Sequence, residues 1–159
     1  MSVYKITTEG LTLDTVEQLL TEGTKIALSD EAKKKINDCR KYLDRSLKEN
    51  KEPIYGINTG FGALYNRSVS EKDLGRLQKN LMMSHACGTG DPAPEQMVKL
   101  MLLLKVQGLA YGNSGVQLQT VERLIDFYNN DLLPVVYEQG SLGASGDLAP
   151  LAHLCLPLI

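Results

Sequence analysis

Glycine is concentrated in three stretches of this chain, residues 55–62, 108–115 and 140–146, and between them apolar residues recur at helical spacing. Glycine weakens helix and strand interiors alike, so these stretches break the chain into helical blocks joined by shaped backbone. Val3 to Thr7 reads as a short strand, and Thr12 can cap a helix whose Leu13, Val16, Leu19 and Leu20 share one face until Gly23 stops it. Residues 25–28 read as a second short strand. Ser29 or Asp30 then opens a long amphipathic helix to about Asn50, with Ile36, Leu43 and Leu47 inward and Lys33, Lys34 and Lys35 on its solvated face.

Further along, Ser70 with Asp73 has the form of a capping box for a helix carrying Leu74, Leu77, Leu81 and Met82, with His85 near its end and Gly88 and Gly90 interrupting it. Pro94 suits the first turn of a helix that faces Met97, Leu100, Met101 and Leu104 inward and ends at the break from Gly108 to Gly115. Another helix is expected from about Val116 to Asn130, on Leu118, Val121, Leu124 and Ile125. After Leu132, Leu133 and Pro134 the chain crosses the last glycine stretch and starts an apolar helix at Asp147. The fold class is mainly α with a few short strands. Because an apolar run exposed at a terminus would aggregate, the end at Leu158 and Ile159 predicts that residues 1–159 are a single N-terminal portion of a larger chain.

Composition narrows the function classes. The 17 basic and 19 acidic residues are interspersed, which leaves no field for nucleic acid or an anionic membrane surface. No apolar stretch approaches the length of a membrane span, and no secretory start is visible, so the expected location is the cytoplasm. Cys39, Cys87 and Cys155 are odd in number and far apart, a pattern that suits reduced thiols and offers no zinc spacing; no metal is assigned. Asn66-Arg67-Ser68 fits a glycosylation pattern only by coincidence in a chain without a signal.

Chemistry concentrates in Gly140-Ser141-Leu142-Gly143-Ala144-Ser145-Gly146-Asp147-Leu148-Ala149-Pro150-Leu151-Ala152. A backbone nitrogen can close onto a carbonyl two residues earlier only where side chains leave room, as Gly146 does and Ala144 nearly does. Loss of water from Ser145 would then leave a methylidene group conjugated with the new ring. An ordinary glycine turn before a helix capped by Asp147 is the plain alternative. A serine nucleophile elbow would need glycine where Asp147 stands.

This run resembles, residue for residue, the signature of the aromatic amino acid ammonia-lyases, the histidine, phenylalanine and tyrosine enzymes. The resemblance implies that Ala144, Ser145 and Gly146 form 4-methylidene-imidazole-5-one (MIO). Residues 55–62, Tyr-Gly-Ile-Asn-Thr-Gly-Phe-Gly, also resemble the family, and Tyr55 is thereby implied as the acid or base acting on substrate. Ser84-His85 is similar to the pair in the histidine enzymes, which implies that His85 contacts a substrate imidazole. Asn58 and Thr59 receive no role, and His153, among Leu151, Leu154 and Leu156, reads as a hydrogen-bonded core histidine.

The resemblance implies elimination of ammonia from L-histidine to give trans-urocanate, on the helical aspartase/fumarase-like fold. Family members are homotetramers whose helices bundle together and whose active sites draw on three subunits, with further site residues beyond Ile159; the isolated chain is expected to be inactive. Two rivals stay open. One is a tyrosine or phenylalanine lyase, or an aminomutase, of the same family, against which Ser84-His85 argues; the other is a non-catalytic helical oligomerisation module.

Overall fold

Residues 3–49, 52–141 and 146–159 are described by the computed structural model, and most of them are helical. The chain divides into two units, Met1–Leu47 with Ala93–Leu133 and Lys48–Pro92 with Pro134–Ile159.

In the first unit, strands β1 (Val3–Ile6) and β2 (Lys25–Leu28) pair in parallel, Val3 opposite Lys25 and Ile6 opposite Leu28. Parallel strands need a crossover, supplied by α1 (Leu13–Thr21). Thr12 caps α1 as expected, its hydroxyl accepting the Thr15 N–H at 3.2 Å, and Gly23 ends it at φ 62°. Helices α2 (Asp30–Glu49), α4 (Glu95–Ala110) and α5 (Leu118–Asn129) complete the unit. Ile6, Ile26, Leu28, Leu102, Val106 and Leu124 are among its buried residues. The Asn129 amide accepts from the Ile26 N–H at 2.8 Å and donates to the Ile26 carbonyl at 2.9 Å, so a side chain takes a strand's place on the free edge of β2. Gly112, at φ 72°, passes so close to α2 that a Cβ would lie 2.7 Å from the Lys35 backbone. Lys34 and Lys35 sit on the wet side of α2, in ion pairs with Asp38 and Glu31.

Three expectations for this unit are corrected. Leu13 is 87% exposed rather than on the inner face of α1. Helix α4 buries Val98, Leu102, Leu103, Val106, Leu109 and Ala110 and leaves Met97 and Leu104 exposed. Its sequence is apolar nearly all round, so periodicity could not choose the inward face. Gly108 is not a break either; α4 runs through it to Ala110, and the irregular backbone begins at Tyr111.

The second unit holds α3 (Leu74–His85), an antiparallel pair β3 (Thr89–Pro92) and β4 (Tyr137–Gln139), and α6 (Ala149–Cys155), which packs on α3. The pair β3 and β4 carries no alternating apolar signal that would reveal it in the sequence. The capping box is also corrected: the Ser70 hydroxyl donates to the Asp73 carboxylate at 2.5 Å instead of capping backbone, and a 3-10 turn (Glu71–Asp73) leads into α3. Helix α6 begins at Ala149, not at Asp147, and passes into a 3-10 turn (Leu156–Leu158). No helix among the described residues is long and apolar enough to cross a membrane.

Candidate active site

The loop over residues 55–62 is held by its own polar side chains. Asn58 and Thr59 are buried, and the bonds of their side chains are local, while the Asn58 carbonyl accepts the Val69 N–H at 2.9 Å. Asn58 Oδ1 accepts the Ile54 N–H at 2.7 Å and its Nδ2 donates to the Glu52 carbonyl at 3.3 Å. Thr59 Oγ1 accepts the Gly56 N–H and donates to the Gly60 carbonyl. These two residues serve as staples for backbone whose regular pairing is limited to one isolated bridge, Thr59 with Ser68. Gln78, one turn into α3, donates to the carbonyls of Gly56 at 3.2 Å and Ile57 at 3.0 Å and ties the loop to that helix.

So held, the loop presents Tyr55 outward, 60% exposed, with its hydroxyl oxygen accepting the Gly62 N–H at 3.4 Å. Among the described residues the phenolic proton has no acceptor. The Tyr55 ring meets the Phe61 ring edge to face, centroids 5.7 Å apart, and Phe61 meets the His85 ring in the same manner at 5.7 Å. Tyr55 and His85, 30 residues apart in sequence, thus flank one phenylalanine.

His85 ends α3 with Nδ1 2.8 Å from the Leu81 carbonyl. A carbonyl only accepts, so Nδ1 carries a proton, and in the tautomer this selects Nε2 is the nitrogen with the lone pair. The Ser84 hydroxyl donates to the same carbonyl at 3.1 Å and lies 3.1 Å from Nδ1. The Ser84-His85 pair has a physical reason in this arrangement: both side chains fold back on the helix and leave Nε2 as the acceptor.

Of the expected triad, Gly146 is described, while Ala144 and Ser145, with Leu142 and Gly143, lie outside the described residues. Gly146 has φ 105°, a conformation side chains rarely adopt, and among the described residues nothing lies within 4 Å of where its Cβ would be. Next to it, one oxygen of Asp147 accepts three bonds, from the Ser141 N–H at 3.1 Å, the Ser141 hydroxyl at 3.0 Å and the Ala149 N–H at 3.0 Å. The Ala149 N–H first, and then Ser141, hold this carboxyl below its ordinary range. Ser141 and Asp147 are thereby pinned together on either side of the triad. Gly140 makes room for the clamp, since a Cβ there would fall 1.6 Å from Asp147 Oδ2.

His153 is a bonded core residue, as expected. Its Nε2 accepts the Gly88 N–H at 2.9 Å and its ring packs edge to face on Tyr137, so it joins the segment after α3 to α6. Phe61, Gln78, Ser141 and Asp147 do not stand out as site residues in the sequence. Phe61 and Gln78 give no signal beyond standing in the loop motif and on α3. The three acceptor bonds of Asp147 could have been suspected from an aspartate beside a glycine turn.

Residues 11–159 match the family model for aromatic amino acid lyase. The chain is 47% identical over 157 residues to a histidine ammonia-lyase of Caldanaerobacter subterraneus subsp. tengcongensis, covering 98% of this chain and 31% of that protein. Among solved structures it is similar to histidine ammonia-lyase from Trypanosoma cruzi, with TM-score 0.81 and 35% identity over 98% of this chain and 29% of that one. It is also similar to tyrosine aminomutase from Streptomyces globisporus, with TM-score 0.88 and 30% identity over 98% of this chain and 29% of that one. The chain therefore spans about a third of the length of the curated relatives it matches. With the mainly helical fold and both motifs in place, the chain belongs to the aromatic amino acid lyase family.

Proposed function

We propose that this chain is part of a histidine ammonia-lyase, a carbon–nitrogen lyase that converts L-histidine to trans-urocanate and ammonia. The observation that carries the reading is the row Tyr55, Phe61, His85, which puts a proton-transfer group and an imidazole acceptor on either side of one ring. Neither the β-proton nor the ammonium group of histidine is activated by itself, and the MIO formed from Ala144, Ser145 and Gly146 supplies the electrophile that activates them. Two observations among the described residues support that group: the positive φ of Gly146, with room where a Cβ would stand, suits ring closure, and the Asp147 clamp draws the ends of the segment together.

In this reading Tyr55 acts as a phenolate, its own proton having passed to solvent, and its outward oxygen takes the β-proton of the substrate as the Cα–N bond breaks and ammonia leaves. His85 Nε2 accepts the N–H of the substrate imidazole, and a phenyl ring in its place would leave that acceptor unpaired. Gln78 and Thr59 keep the loop that bears Tyr55 in place. The site is completed by residues of other subunits in a homotetramer and by segments outside this sequence, in a cytoplasmic enzyme with no nucleic-acid or membrane partner.

The test is turnover of histidine, tyrosine and phenylalanine by the protein at the length of its relatives, with Ser145→Ala as the control. Urocanate from histidine, lost in the control, is the expected result. A product from tyrosine or phenylalanine instead would assign the substrate to the other branch, including a β-amino acid if the protein is an aminomutase. No product with any of the three would leave a helical oligomerisation module. The 159-residue chain alone is expected not to turn over histidine, and urocanate from a clean preparation of it would sink that expectation.

A further inference from the structure

We infer that Phe61 is a positioning residue, a rigid spacer that sets where the Tyr55 hydroxyl stands relative to His85. The inference rests on the lyase reading above. The polar staples of the loop fix its backbone from Glu52 to Gly60, and Gln78 fixes Gly56 and Ile57 to α3. None of these bonds acts on the ring of Tyr55 or on that of His85. Among the described residues, Phe61 is the one side chain whose ring packs on both, at 5.7 Å each, with interplanar angles of 67° and 89°. An aromatic ring has few rotamers and keeps its dimensions, so it holds two neighbours apart in a way an aliphatic chain does not. The backbone is adapted to it, because a Cβ on Gly56, at φ 70°, would approach Phe61 Cε1 to 3.0 Å.

The spacer has a definite use. A base must reach the β-proton while the substrate ring is held by its own contact, and the distance between those two groups is a property of the substrate. With Phe61 between them, Tyr55 and His85 move as a pair instead of separately.

The experiment uses the protein at the length of its relatives for kinetics and this 159-residue chain for nuclear magnetic resonance. Phe61→Leu should lower kcat/KM for histidine about tenfold, the loss of two ring contacts, with kcat falling more than KM rises. Phe61→Tyr should keep activity within about threefold, since the ring remains. In a His85→Ala background Phe61→Leu should cost clearly less, because one of the two groups it spaces is gone. The chain has two histidines, so in its spectrum Phe61→Leu should move the ring-proton signals of His85 and leave those of His153 in place. An unchanged kcat/KM, an equal loss in the His85→Ala background, equal impairment by Phe61→Tyr, or unmoved His85 signals would each overturn the inference. So would a Phe61→Leu protein that no longer cyclises its triad, which would make the ring a folding element. Absence of lyase activity and of the cyclised mass in the parent protein would instead count against the lyase reading, and the His85 signals would still report the packing.

Discussion

Gly140→Ala isolates the clamp next to the triad. The φ of Gly140 lies outside the left-handed region, so alanine suits the backbone and the cost comes from space alone. The new Cβ would stand 1.6 Å from Asp147 Oδ2, 2.5 Å from its Cγ and 2.7 Å from Oδ1. To reach ordinary contact at 3.4 Å, the carboxylate oxygen must retreat by 3.4 − 1.6, about 1.8 Å. The three bonds are to Oδ1, which must itself retreat by 3.4 − 2.7, about 0.7 Å, enough to stretch bonds of 3.0–3.1 Å past 3.5 Å. Misplacement of reacting groups by about 1 Å costs on the order of 100-fold in rate. Cyclisation should therefore slow by up to about that factor, and the cyclised fraction should fall. The assay is the intact mass of the variant against the parent, sampled over time after refolding. In an Asp147→Ala background the clash has no partner, and Gly140→Ala should then add nothing. A Gly140→Ala protein that cyclises at the parent rate, or one that loses as much in the Asp147→Ala background, would refute the reasoning.

Tyr128→Phe removes the hydroxyl that donates to the buried Leu19 carbonyl at 3.0 Å and should destabilise the fold by about 1–3 kcal/mol in urea unfolding; no change would mean the bond carries nothing. Leu102→Ala, at a fully buried position on α4, should cost about 2–5 kcal/mol by the same measurement. Asp147 is held below its ordinary value by the Ala149 N–H and then by Ser141, so its contribution is fully present above the unfolded value of about 3.9 and is lost as pH falls through the lower folded value. A carbon-13 titration of its carboxyl should show the midpoint below that of an unfolded peptide, and a midpoint at or above it would contradict the clamp.

How much the sequence revealed depended on how local the physics was. Thr12 and Gly23 mark the ends of α1 because capping and a left-handed glycine act within a few residues. The strand Lys25–Leu28 was legible, but its edge partner was not, since Asn129 reaches Ile26 across most of the chain. The inward face of α4 was not legible because Met97, Leu100, Met101 and Leu104 are as apolar as the residues that are buried, and the packing of α5 and α1 decides between the faces. At the candidate site, Tyr55, His85 and the glycines stood out through motif and backbone need. The spacer role of Phe61 and the loop tie of Gln78 depend on where α3 lies against the loop, a long-range fact that no spacing encodes.

The central claim is that Ala144, Ser145 and Gly146 close into an electrophile, and intact mass tests it most directly. Ring closure releases one water and dehydration of Ser145 a second, about 36 Da in total. The account predicts that deficit in the protein at the length of its relatives, confined to the peptide that contains Ser141 and Asp147 and absent in Ser145→Ala. Full mass in a folded, soluble preparation of that protein would contradict it.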